Sequence, residues 1–131
     1  MKAMVMAAMA AGWVSILPAA ALPPPLDEVN PACEVAREMA IGSADMRQSG
    51  LSRRQAARFI SRFMAERLGD DWARSVMTPA ERQAAAVALE GMSDEILGTA
   101  FSTAMERTAP SKRAAAHAAG MKIYDACLRR M

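Results

Sequence analysis

Histidine occurs once in this chain, as His117, and aromatic side chains make up only 5% of it. A single imidazole, two cysteines and no C-x-x-C pair argue against a structural zinc centre, which takes four such ligands. No G-x-S-x-G, H-E-x-x-H, phosphate-binding loop or dinucleotide fingerprint is present. β-Branched residues are few and no stretch sustains strand alternation, so an all-helical fold is expected. The net charge of +2 gives no global electrostatic attraction for nucleic acid. Asp70-Asp71 lacks the alternating oxygen ligands and fixed glycine of a calcium loop.

What is present begins at the N-terminus. Met1-Lys2 supplies a short positive region, Ala3–Leu17 is almost wholly apolar, and Pro18 precedes the small residues Ala19-Ala20-Ala21. This is the form of a cleavable signal peptide over residues 1–21. The rival reading is a retained anchor, but the apolar run of about 15 residues falls short of the roughly 20 that span a bilayer. No cysteine follows the run to carry lipid. The expectation is a periplasmic or secreted protein starting at Leu22, with residues 22–29 a Pro-rich extended segment and 30–131 a single domain.

Export gives the cysteines a context. An even pair, Cys33 and Cys127, in an oxidising compartment is most simply a disulfide, with a metal site or a free thiol as the competing readings. Such a bond closes a loop of about 100 residues, worth about 4.7 kcal/mol in the chain-entropy view.

Punctuation divides residues 30–131 into about five helices. Asn30-Pro31 starts the first, which turns Cys33, Ala36, Met39, Ala40 and Met46 inward and stops at Gly50; Gly42 inside it marks a close contact or a break. Ser52-Arg53-Arg54-Gln55 has the capping-box form and opens a strongly amphipathic helix over 52–68, with Ala56, Phe59, Ile60, Phe63 and Met64 on one face. Asp70-Asp71-Trp72 reads as a connection, with Trp72 anchoring it to the core. Thr78-Pro79-Ala80-Glu81 starts the third helix, whose apolar positions are Ala80, Ala84, Val87 and Ala88. Ser93 is the expected cap of the fourth, carrying Ile96, Leu97, Ala100, Phe101, Ala104 and Met105. Pro110 separates it from the last, for which Ser111 is the expected cap and Ala114, Ala118, Met121, Tyr124 and Leu128 the inward stripe. The fold class is therefore a small all-α bundle whose terminal helices a disulfide links.

The local concentration of positive charge lies at Arg47, Arg53, Arg54, Arg58 and Arg62, the last three at successive four-residue steps. As an interaction face it suits an anionic protein surface or lipid headgroups; as a solvated face it needs only a pairing such as Arg62 with Glu66. No aromatics interleave to stack bases, so nucleic acid is not expected as a partner. His117 lies at the boundary of its helix and Asp125 is too far along to serve it. No catalytic, cofactor-binding or metal-binding residue is assigned, and no cofactor is expected.

The early cysteine (Cys33), the segment MRQSG, the capped basic helix LSRRQAARFI and the closing IYDACLRR with Cys127 together resemble a diffuse group of small exported proteobacterial proteins of uncharacterised function. The resemblance spans most of residues 30–130. It implies a secreted, cysteine-clamped helical fold and carries no activity or site. The functional expectation is a non-enzymatic interaction or accessory module with a protein partner or a second copy of itself. The alternative is an envelope protein lying on the membrane surface through helix 52–68. Burial of Phe59, Ile60 and Phe63 discriminates the two readings.

Overall fold

A computed structural model describes residues 30–131, so the expected signal peptide and Pro-rich segment lie outside the described residues. Six helices follow one another: α1 (Pro31–Gln48), α2 (Arg53–Leu68), α3 (Asp71–Val76), α4 (Pro79–Gly91), α5 (Ser93–Phe101) and α6 (Ala109–Arg130), with no strand among the described residues. The all-α expectation holds.

Local chemistry sets most of the boundaries. The Asn30 side chain accepts a hydrogen bond from the Cys33 N–H at 3.1 Å, and Pro31 occupies the first turn of α1. At the other end Gly50 takes φ +84°, a left-handed conformation that a side chain opposes. It lets the Gly50 N–H reach the Arg47 carbonyl and the Leu51 N–H reach that of Met46, the paired closure of a Schellman turn. Ser52 with Gln55, and Thr78 with Glu81, form the reciprocal boxes their sequences announce.

Helix α1 is the buried axis, packed against α6, α2, α5 and α4. Val35, Ala36, Ala40 and Ala44 are fully buried on it, and so is Ser43. Two glycines explain how neighbours come so close. A Cβ on Gly42 would stand 2.4 Å from Phe59 Cζ, and one on Gly120 would stand 2.5 Å from Ile41 Cγ1. Gly42 is therefore a contact point of α1 with α2, and α1 runs unbroken through it. Across the α1–α6 contact Cys33 and Cys127 form a disulfide with Cα atoms 5.5 Å apart, both residues completely buried.

Four sequence expectations are revised. Residues 71–76 form α3, because the Asp70 carboxylate accepts from the Ala73 N–H at 2.9 Å and starts a helix where a loop was expected. Ser93 is not a cap: Met92 holds that position with no side-chain bond, and the Ser93 hydroxyl turns back toward the Leu89 carbonyl. The cap of α6 is Thr108 rather than Ser111, and Pro110 lies inside the first turn, where its missing N–H is harmless. Helix α5 stops at Phe101, leaving Ala104 and Met105 in the following loop.

The facing of two helices also differs. On α4 the buried residues are Ala85 and Leu89, whereas Ala80, Ala84 and Val87 are exposed. On α6 the inward stripe is Ala116, Ala119, Gly120, Ile123 and Cys127; Ala114, Ala118, Met121 and Leu128 face out and Tyr124 is half-buried. The covalent tether at Cys127 and the seat of Gly120 against Ile41 fix that rotation. Alanine on every face offered no hydrophobic contrast to oppose it.

The loop of residues 102–108 is fastened by a buried polar network. Gln48, 3% exposed, donates to the Ala104 carbonyl at 2.7 Å and accepts from the Glu106 N–H at 2.8 Å. Lys112 donates to the Gln48 carbonyl at 2.8 Å. A buried amide whose donor and acceptor are both used specifies one loop conformation.

Candidate interaction face

Helix α2 divides into two faces. Ala56 and Ile60 are buried, while Phe59 and Phe63 are half-buried against the core with ring centroids 5.4 Å apart. Turned outward are Arg54, Arg58 and Arg62, all exposed. A four-residue step advances about 6 Å along a helix and rotates about 40°, so these three form one inclined ridge. Beside it runs a second ridge, Arg53, Ala57, Ser61 and Ala65, small except at its head. The shallow trough between them is lined by Arg54, Ala57, Arg58, Ser61 and Arg62.

Four arginines among the described residues are held by carboxylates, whereas the three ridge arginines, like Arg47, Arg53, Arg82, Arg107, Arg113 and Arg129, are not. Arg37 pairs with Glu34, Arg67 with Glu38 and Asp70, Arg74 with Asp71, and Arg130 with Glu95. Among the described residues Arg54, Arg58 and Arg62 have no carboxylate partner, and the expected pair of Arg62 with Glu66 is not formed. Three guanidinium groups thus present their planar donor forks to solvent on a helix whose other side is fixed in the core.

The structure separates Arg47 from this group. It is half-buried on α1, donates to the Thr103 carbonyl at 3.4 Å and stands 5.9 Å from the centre of the Phe101 ring. Arg53 stays on the face as the head of the small ridge. His117 and Asp125 are both exposed on α6, and Asp70 and Asp71 serve the start of α3. No cluster of three or more His, Cys, Asp or Glu able to hold a metal occurs among the described residues.

A second concavity escaped the sequence reading. Where α1 begins, Ala32, Met77 and Ala85 floor an apolar recess of about 250 Å³ rimmed by the exposed Val76, Ala84 and Met131. Its polar neighbours, Asn30 and Glu81, are already engaged in capping α1 and α4. The recess suits an apolar group. Its signal in the sequence was the apolar run Ala80, Ala84, Val87 and Ala88, which reads as core and lies mostly at the surface.

No family model, curated protein or solved structure matches this chain. No described helix is long and apolar enough to cross a membrane.

Proposed function

We propose that this protein is a non-enzymatic interaction module of the periplasm or secreted space, docking a protein partner through Arg54, Arg58 and Arg62. The carrying observation is the ridge itself: three exposed guanidinium groups, unpaired among the described residues, on a helix held from behind by Ile60, Phe59 and Phe63. A helix lying in a membrane interface needs its apolar face free to enter the lipid. On α2 that face is spent on the protein's own core, which favours a protein partner over a lipid surface. The Cys33–Cys127 bond supports an oxidising compartment.

A photo-crosslinking side chain placed at Ser61, beside the ridge, tests the reading in the native cell. The expected result is a discrete protein adduct that vanishes when Arg54 and Arg62 are changed to Glu. It should be absent when the label sits at the exposed Gln83 on α4. Labelling that ignores the arginines, or adducts with lipid alone, would overturn the proposal. Mass analysis of the same protein, reduced and non-reduced, checks the start at Leu22 and the internal disulfide.

A further inference from the structure

We infer that the segment received on α2 is an amphipathic acidic helix, with Asp or Glu at four-residue steps, lying along the ridge Ala57–Ser61–Ala65. The inference rests on the docking role proposed above and names the shape and charge of what docks.

Three observations lead there. First, the ridge beside the arginines is made of alanine and serine, so a facing backbone can approach closely and a row of side chains can settle in the valley. Second, the spacing matches. Carboxylates at i, i+4 and i+8 of a facing helix recur at about 6 Å, as Arg54, Arg58 and Arg62 do, and run parallel to them when the two helices cross at about −50°. Third, the charge has a direction. Arg53 and Arg54 stand at the N-terminal end of α2, whereas Glu66 continues the arginine ridge four residues beyond Arg62 and is itself exposed. A facing acidic row is attracted along the first three turns and repelled at the fourth, which sets its register.

A membrane surface fits these observations less well. Headgroups are laterally mobile and take no register from Glu66. The small ridge also offers nothing to insert between acyl chains.

The test uses the full-length processed protein and a stapled alanine-rich peptide with Glu at i, i+4 and i+8 on one face. A stapled peptide of the same composition with its Glu residues dispersed around the helix is the control. The patterned peptide should bind about tenfold more tightly than the dispersed one, a difference of roughly 1.4 kcal/mol. Added salt should weaken it, since the contacts are exposed charges. Arg58→Ala should reduce binding severalfold, and Glu66→Gln should increase it. Far-UV circular dichroism and an intact disulfide serve as the folding control for each variant. Equal binding of the two peptides, no binding of either, or preference for phosphatidylglycerol vesicles over the patterned peptide would each overturn the inference. If the Ser61 adduct persists while the peptide result is negative, docking survives and the acidic-helix partner falls; loss of the adduct removes both.

Discussion

The guanidinium carbon of Arg67 lies 3.8 Å from the centre of the Trp72 indole. The same side chain donates to Glu38 on α1 at 2.9 Å and to Asp70 at 2.7 Å. One planar cation thus ties the end of α2 to α1 and to the start of α3. A helix of six residues has too few internal hydrogen bonds to stand alone, so this fastening holds it together with the burial of Ala73 and Met77 in the core. Trp72 becomes half-buried against the core, completing the anchoring role its sequence position suggested.

Replacing the plane while keeping the charge isolates the stack. Arg67→Lys should lower stability by about 1 kcal/mol, since an ammonium neither stacks flat nor forks to two carboxylates. Urea unfolding gives the total. Amide exchange should show the loss concentrated at Ala73–Met77; a uniform rise across the chain would contradict the fastening role.

The Asp70 carboxyl is held below the ordinary carboxylate range, first by the Ala73 N–H it accepts from and then by Arg67. Because its folded value lies below the unfolded one, its stabilisation is present above about pH 3.9 and drains away as pH falls further. Asp45 works in the opposite sense, its value raised by burial, so its effect destabilises the fold as pH rises through the carboxylate range. Asp70→Asn preserves a cap and removes the titration. It should flatten the acid limb of the stability profile measured by urea midpoints between neutral pH and pH 2.

The two tight glycines should respond unequally. On Gly120 a new methyl meets Ile41 near the root of its side chain, at the α1–α6 contact. On Gly42 it meets the tip of the Phe59 ring, which is half-buried and has somewhere to turn. Gly120→Ala should therefore destabilise by about 1–3 kcal/mol. Gly42→Ala should lose less, because the ring tip can turn aside; the gain of about 1 kcal/mol in helix propensity is common to both. A reversed order of melting temperatures would contradict this packing.

Removing the disulfide as Cys33→Ser with Cys127→Ser should cost about 3–5 kcal/mol, consistent with 94 residues separating the two cysteines. Both residues are completely buried. Reduction of the native protein by a small thiol should accordingly wait on opening of the α1–α6 contact, and the destabilised Gly120→Ala variant should be reduced faster.

Signals confined to a few neighbouring residues were legible in the sequence. Asn30-Pro31, Ser52 with Gln55, Thr78 with Glu81 and the terminal glycine at position 50 each act within one helical turn, and each appears as expected. The rotation of α4 and α6 was not legible, because it is decided by partners distant in the chain. Ala114, Ala115, Ala116, Ala118 and Ala119 are nearly equivalent to a hydrophobic pattern. Yet Ala116, Gly120, Ile123 and Cys127 share one face, so requiring Cys127 to meet Cys33 would have given the rotation. α3 was missed because six residues show too little periodicity. For the arginine face the charges were legible, but the departure of Arg47 toward Thr103 was not, since that carbonyl is 56 residues away.

The place of the disulfide also fixes how the domain bears load. It joins the first turn of α1 to the last turns of α6, so tension applied outside the two cysteines passes through one sulfur–sulfur bond. The 94-residue separation between them lies off that path and carries no pull. Stretched as a tether, the oxidised protein should barely lengthen. Reduced, the same segment should pay out by roughly 300 Å, the contour of an extended chain.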